Sequence, residues 1–355
     1  MAKIKVAVLF GGMSNEHDIS LISAANVIQN IDRAKYDIVP IGITKKGRWF
    51  FYQGDIAGIK SGEWENDSDN VPAAILPDPL YRGIATINGD EMNIIRVDVV
   101  FPVLHGKYGE DGTIQGLLDM AKIPYVGCGC FASAACMDKH YTHTVLEHEG
   151  IRMARSRHLM INELDRLDSF CEEAVNSLDF PLFVKPASCG SSVGVNKVTC
   201  FEDLKNAIKI AFTHDRKVVV EEFIKGRELE VAVLGSDKPF ASEVGEIISC
   251  NDFYDYDAKY ILGTSGLKIP ADLPAEVSAE IRSTAVKAFR AVGGFGLSRV
   301  DFFLSDKGEV ILNEINTMPG FTSISMYPKL MENFGISYSE LLDKLIQMSS
   351  ERIAR

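Results

Sequence analysis

The sequence predicts a chain of α/β and α+β units, three in number, of which the first is doubly wound. Three observations point there. An apolar run at 4–10 stops at Gly11-Gly12, a helical stretch follows at 19–31, and a second strand comes at 36–43. Strand, glycine-rich turn, helix and strand make the crossover unit of a parallel sheet, whose ligands lie beyond the carboxyl ends of its strands. Past residue 127 the pattern changes to short strands in hairpins with helices between them, an α+β habit. The length, 355 residues, also exceeds one ordinary core. The expected units are 1–127, 128–220 and 221–355.

In chain order, the first unit adds a strand at 97–103, while 52–95 shows no decisive pattern. The second reads as one helix over 131–150, strands at 182–186 and 193–198, a helix at 202–213 and a strand at 217–223. The third has strands at 229–235 and 242–248, a long loop at 250–270, a helix at 275–293, a hairpin of two apolar strands, and a last helix at 336–353. Two polar loops, 11–18 and 105–113, fall where a parallel sheet places its ligands.

Composition sets limits. The chain is 46% hydrophobic and 24% charged, with a net charge of −12 and a pI near 5.1. Such a balance argues against a nucleic-acid or anionic-membrane binder, although local Lys, Arg and backbone N–H groups can still hold phosphates. The opening apolar run ends at Gly11-Gly12 without a small-residue cleavage site, so it reads as a strand and not a signal peptide. No stretch approaches the ~18 apolar residues of a membrane span. The seven cysteines are odd in number and lack zinc-type spacing, which fits a reduced, cytoplasmic protein.

The most informative segment runs from Arg299 to Asn316. Apolar runs 300–304 and 310–315 flank Asp306-Lys-Gly-Glu309, the pattern of a hairpin. If residues 305 and 310 pair, Asp301 falls opposite Glu314, and alternation puts Glu314 and Asn316 on one face. Two carboxylates and an amide oxygen then converge, with Arg299 beside them. Hard oxygen donors without thiolate or imidazole suit Mg²⁺, held by one or two carboxylates and substrate phosphates. The plainer alternative is a solvated polar face of an amphipathic hairpin. The apolar strands that these acids interrupt, and the turn-rich loop after Asn316, favour the metal site.

A second segment, Lys185-Pro186 followed by Gly190-Ser191-Ser192-Val193-Gly194, places a strand-borne lysine before a small-residue loop. Its backbone N–H groups can approach phosphate oxygens, yet no helix follows and it is not a Walker motif. Glu221 to Glu228 is a strand running into a turn that could bind a nucleoside. Lys139 opens a helix as a second phosphate contact or a surface lysine. His140, His143 and His148 read as surface residues.

Together these segments resemble the ATP-grasp enzymes, and within them the D-alanine–D-alanine ligases, over about residues 4–350. The matching motifs include Phe10-Gly-Gly-x-Ser14-x-Glu16-His17, His105-Gly-x-x-Gly109-Glu110-Asp-Gly112, Met137-Asp-Lys139, and Phe253 to Tyr260. Arg299-x-Asp301, Asn313-Glu314-x-Asn316 and Pro319-Gly320 to Ser325-Met326 complete the set. The resemblance implies a three-domain ATP-grasp architecture behind a doubly wound N-terminal domain. It implies that Lys139, Lys185 and the 190–194 loop (Gly190, Ser191, Ser192, Val193, Gly194) hold the ATP phosphates and that Lys259 reaches the γ-phosphate. Glu221 and Ile224 would meet adenine, Phe253 would cover it, and Glu228 would bind ribose. Asp301, Glu314 and Asn316 would hold two Mg²⁺ or Mn²⁺ ions. Glu16 and His105 would receive the first D-alanine, Arg299 and the Gly320 amide the oxyanion, and Ser325 and Met326 the second D-alanine.

The chemistry so implied makes an acyl phosphate from one D-alanine, which the amine of the second attacks. Tyr260, closing over Ser191 and Glu16, would seal the site against water. The resemblance further implies a homodimer. A D-alanine–D-serine ligase of the same family is the alternative, against which the apolar Met326 speaks. A nucleotide-binding regulatory protein without turnover is a second alternative. Cys189 stands where a larger polar residue is expected, its backbone N–H still able to serve.

Overall fold

The computed structural model describes residues 3–248 and 266–352. Three sheets follow one another along the chain. The first begins with β1 (Ile4–Gly11), α1 (His17–Asn30) and β2 (Tyr36–Ile43). It continues with β3 (Trp49–Phe51), α2 (Ile56–Ser61), β4 (Val71–Ile75), β5 (Gly83–Asn88), β6 (Glu91–Arg96) and β7 (Val99–Pro102). α3 (Thr113–Met120) follows. The strand order is β6-β5-β4-β3-β2-β1-β7, and only β2, β1 and β7 run parallel. The doubly wound pattern is therefore confined to these three strands, and the segment 52–95 supplies an antiparallel extension that its sequence did not announce. β1 is apolar throughout because both its faces are covered. Val6, Val8 and Phe10 lie in one core with α1, while Ala7 and Leu9 lie in another with Ile114 and Leu118 of α3.

The stretch expected as one helix at 131–150 is two, α4 (Cys130–Met137) and α5 (Lys139–His148). Asp138 divides them. Its backbone is extended, and its carboxylate accepts from the Tyr141 N–H at 3.2 Å as the N-cap of α5. The second sheet comprises β8 (Ser156–Met160), β9 (Leu182–Pro186), β10 (Asn196–Val198) and β11 (Lys217–Glu222), in antiparallel order β10-β9-β11-β8. α6 (Leu167–Ser177) and α7 (Phe201–Phe212) cover one face of it. β10 begins at Asn196 and not at 193, because the loop before it occupies Gly190 to Val195.

The third sheet holds β12 (Gly226–Gly235), β13 (Phe240–Ala241), β14 (Gly245–Ile248) and β15 (Gly266–Lys268), the last within the stretch expected as loop. α8 (Ala275–Ala291), β16 (Gly296–Ser305) and β17 (Val310–Asn316) follow, then α9 (Met326–Asn333) and α10 (Tyr338–Ser349). The order is β15-β14-β12-β16-β17, with β13 beside β12. The last two helices return to the first sheet. Tyr327, Leu330 and Met331 of α9, with Leu341, Leu342 and Leu345 of α10, share a core with Val6, Phe10, Val99 and Phe101. Among the described residues no helix is long and apolar enough to cross a membrane.

Arg352, just past α10, pins this return. Its guanidinium lies 3.9 Å from the Tyr125 ring centre and 4.4 Å from that of Phe295, and it donates to the Gly127 carbonyl. Gly127 has a φ of +104° and packs against Gly296, so the joint between the first and second sheets is held from the far end of the chain. Two cation–π contacts and one hydrogen bond from a charged donor contribute roughly 2–5 kcal/mol together. Arg352→Ala is expected to lower the unfolding free energy by that amount, read in urea as a lower midpoint at unchanged slope. Arg352→Lys should recover little of it, since an ammonium cannot stack flat between two rings.

Candidate active site

The site is assembled on four loops and one hairpin. At the carboxyl end of β1, Gly11 and Gly12 adopt φ of +86° and +99°, and a side chain at Gly11 would strike the Ile43 carbonyl. This turn leads to Ser14, whose hydroxyl donates to the His105 carbonyl at 2.6 Å and accepts from the Glu16 N–H at 3.1 Å. Both sequence-predicted loops of the parallel sheet thus meet. Glu16 projects between Gly106 and Gly190, where any Cβ would lie within 3 Å of its carboxylate. Its Oε1 accepts from the Ser191 hydroxyl at 2.5 Å. That bond joins the first unit to the 190–194 loop.

The loop itself is unusual in its backbone. Ser191 and Ser192 hold φ of +50° and +58°, a left-handed conformation rare outside glycine, and Gly194 has +72°. The small residues of this tight loop leave its backbone N–H groups open to the approach of phosphate oxygens. Cys189, half-buried before it, accepts through its carbonyl from Lys139 Nζ at 2.8 Å. Lys185 Nζ donates to Glu221 at 2.5 Å, and both lie in a cavity of about 610 Å³ with Lys139, Ile224, Glu228, Asn313 and Glu314. That volume falls in the range of small-molecule and cofactor sites.

The hairpin brings Arg299, Asp301, Glu314 and Asn316 to one face. Asp301 pairs with Glu314 as expected, but for a different reason. The tight turn pairs Leu304 with Val310, one step away from the 305–310 premise, and a β-bulge at Asn313 restores the register. Arg299 grips Asp301 through two hydrogen bonds, Nε at 2.7 Å and Nη2 at 2.6 Å, and lies 3.1 Å from Glu230. Asn316 donates to Asp301 at 3.0 Å. Burial alone would weaken the Arg299 charge, but Asp301 and Glu230 overcome it and hold the guanidinium firmly protonated. Two carboxylates and an amide fit a hard divalent cation whose other positions belong to phosphate oxygens. Among the described residues no cluster of three His, Cys, Asp or Glu stands ready to enclose an ion by itself.

A smaller cavity of about 150 Å³ adjoins the first and is lined by Glu16, His105, Arg299, Asn316, Gly320, Ser325 and Met326 among others. Lys139, Gly190, Ser191 and Glu314 line both cavities. His105 is buried, with its ring nitrogens 3.1 Å from the Ser23 hydroxyl and 3.2 Å from the Met318 carbonyl. Burial lowers its pKa, so it stands neutral behind Glu16. Ser325 Oγ accepts from the Thr322 N–H at 3.0 Å, and a Cβ on Gly320 would meet it at 2.8 Å. Met326 opens α9 and packs beneath Gly245. Phe253, Lys259 and Tyr260 lie outside the described residues.

Sequence reasoning missed three groups. Glu230, two residues beyond Glu228 on β12, faces Asp301 in register, a place that period-two alternation signals. Glu110, inside the quoted 105–112 motif, accepts from the Gly106 N–H at 2.6 Å and the Met318 N–H at 3.3 Å. His143, read as a surface residue, is 5% exposed, with Nε2 3.5 Å from Glu221. The only local sign is Leu146, three residues on and buried on the same face of a mostly polar α5. His140 is half-buried and stacks on His158 at 3.6 Å, while His148 is exposed as expected.

A nucleotide-sized cleft between two antiparallel sheets, opening onto a small polar chamber at the edge of a parallel one, is the arrangement of the ATP-grasp class. The chain matches the families described as D-ala D-ala ligase N-terminus, over residues 5–128, and D-ala D-ala ligase C-terminus, over 145–347. It is 49% identical to the D-alanine–D-alanine ligase of Ruminiclostridium cellulolyticum, covering 99% of this chain and 96% of that protein. The figures are 48%, 99% and 96% for the enzyme of Caldicellulosiruptor bescii. Among solved structures it resembles the VanG D-Ala:D-Ser ligase of Enterococcus faecalis, with a TM-score of 0.90 and 43% identity over 98% of this chain and 100% of that one. The D-alanine–D-alanine ligase of Coxiella burnetii gives a TM-score of 0.86 and 35% identity over 100% and 96%. The chain belongs to the D-alanine–D-alanine ligase family.

Burial and the nearby Glu16 push the Glu110 carboxyl up to about 8. An unfolded glutamate releases its proton near ~4.3, so between there and about pH 8 the folded chain binds the extra proton. Stability contributed by this group is therefore greatest below that window and falls as pH rises through it. Urea unfolding at pH 5 and pH 8.5 should show this loss in the unsubstituted chain and a smaller one in Glu110→Gln.

Proposed function

We propose that this chain joins two D-alanine molecules to D-alanyl-D-alanine with ATP, as a step in making peptidoglycan precursors. The observation that carries the reading is the shared wall. Lys139, Gly190, Ser191 and Glu314 border both cavities, so a nucleotide in the larger one would direct its terminal phosphate at a small acid in the other. In this assignment Lys139, Lys185 and the Gly190–Gly194 loop hold the phosphates, with Lys259 completing them. Glu221, Ile224, Glu228 and Phe253 surround the nucleoside. The Glu16 carboxylate, oriented by Ser191, receives the ammonium of the first D-alanine, and His105 packs behind it.

The carboxylate of that D-alanine takes the γ-phosphoryl group of ATP, releasing ADP and leaving an acyl phosphate. Phosphoryl transfer needs alignment and charge neutralisation more than a protein nucleophile. Asp301, Glu314 and Asn316 would hold two Mg²⁺ or Mn²⁺ ions, which when bound neutralise phosphate charge. Arg299 and the Gly320 N–H face the acyl carbon and stabilise the oxyanion as the second amine attacks and phosphate departs. Ser325 and Met326 line the place of the second D-alanine, and Tyr260 would close the site with Glu16 and Ser191. We infer a cytoplasmic homodimer on the family resemblance, the acidic composition and the free thiols of the six described cysteines.

Incubation with ATP, Mg²⁺ and D-alanine should release phosphate and yield the dipeptide; absence of dipeptide would sink the reading. Glu314→Gln should abolish ligation with an unchanged unfolding midpoint. The likeness to a D-Ala:D-Ser ligase favours a second reading, ligation of D-serine at the second position. With both amino acids present, the dipeptide should be mainly D-alanyl-D-alanine. Met326→Arg should move the ratio toward D-serine, because a buried thioether suits a methyl and a cation suits a hydroxymethyl.

A further inference from the structure

His143 sits one helical turn after Lys139, on the face of α5 turned into the protein. Its ring lies between two residues that are register partners on adjacent strands, Ser156 of β8 and Glu221 of β11. Nδ1 is 3.3 Å from the Ser156 hydroxyl, and Nε2 is 3.5 Å from Glu221 Oε1. The other oxygen of Glu221 is held by Lys185 at 2.5 Å. Lysine, carboxylate, imidazole and hydroxyl thus form a row, its middle two members buried and its lysine end in the larger cavity.

The charges facing the ring come from three elements. Glu147 and Lys139 belong to α5, Lys185 to β9 and Glu221 to β11. Burial lowers the His143 pKa; Lys185 and Lys139 add to that, while Glu221 and Glu147 oppose it. At neutral pH the ring is therefore uncharged. A hydroxyl beside Nδ1 can donate to it, which leaves the proton on Nε2 pointing at Glu221. Burial also disfavours the Glu221 charge, but Lys185 and His143 outweigh it, and the carboxyl sits below its ordinary range.

We propose that His143 is a positioning residue for the nucleotide, fixing Glu221 behind Lys185 and taking up a proton from solvent when a polyphosphate enters the cavity. The reading rests on the assignment of that cavity to ATP. Phosphate oxygens draw Lys185 and Lys139 toward themselves and weaken the hold of Lys185 on Glu221. A buried carboxylate that loses part of its counter-charge attracts another. His143 supplies it by accepting a proton at Nδ1, and the Ser156 hydroxyl turns from donor to acceptor. By reciprocity, ATP then binds more tightly as pH falls through the range where His143 titrates. Each unit by which the nucleotide raises the pKa of the ring corresponds to about a tenfold change in Kd across that range.

The test is calorimetry of ATP with Mg²⁺ and no D-alanine at pH 6.5, in two buffers of different ionisation enthalpy. The unsubstituted chain should take up a fraction of a proton beyond the titration of ATP itself, and His143→Gln should lose that excess. NMR of the His143 ring in the unsubstituted chain needs no variant, and its titration should move to higher pH with ATP. In steady state, His143→Gln should raise KM for ATP at pH 6.5 by about threefold to tenfold, less at pH 8.5, with KM for D-alanine within about twofold. Equal proton uptake in chain and variant, or a ring titration unmoved by bound ATP, would overturn the proposal. Failure of the unsubstituted chain to bind ATP at all would overturn the assignment of the cavity along with it.

Discussion

Asn313 is one residue more than its strand can pair, and the site depends on it. On β16 the alternate residues Val300, Phe302 and Leu304 face the core beneath α8. Their partners on β17 must do the same, yet Leu312 and Ile315 are three residues apart, an odd spacing that a regular strand cannot bury on one face. The bulge absorbs the extra residue. Leu312 and Ile315 both reach the core, while Glu314 and Asn316 turn outward beside Asp301 and Arg299. Without it, Leu312, Glu314 and Asn316 would share a face, and two polar side chains would be forced into an apolar interior. Burying them unpaired costs several kcal/mol, so packing and the site are set by the same irregularity.

Once on one face, these groups need one another. Asp301 and Glu230 are buried acids, and Arg299 is the cation that both of them meet. Removing any one partner leaves an uncompensated charge, which is worse than never having buried the group. The cluster is therefore rigid for an electrostatic reason. In the proposed assignment, a guanidinium held this rigidly beside the acyl centre would lose nothing to reorganisation when negative charge develops there.

The remaining requirement is that distant loops meet. Glu16 and Ser191 sit on loops that leave different sheets, and their hydrogen bond works only because Gly106 and Gly190 leave room for the carboxylate. The strained backbone of Ser191 and Ser192 persists because neighbours hold it, among them Glu16. At the far side, the return of α9 and α10 to the first sheet fastens the loop 316–326 against β7, so the chamber is closed by the last part of the chain. Arg352 locks that closure onto Gly127.

Local periodicity and motif spacing determined much of this. The β1–α1–β2 crossover, the 299–316 hairpin and the glycine–serine loop were legible, because each is written in residues near one another, whereas Asp301 meets Glu314 only through a bulge at Asn313 that the alternation did not announce. Helix and strand ends shifted where a side chain intervened, as Asp138 did in capping α5. The tertiary structure alone decided what depends on partners far away in sequence. His143 looks like any residue of a polar helix until β8 and β11 enclose it. Glu110 acquires its proton from burial and from Glu16. Residues 52–95 form strands only by adding to an existing sheet edge. Alternation and turn chemistry act over a few residues and can be read directly. Burial and charge pairing depend on which surfaces meet, and that is settled only when the whole chain has folded.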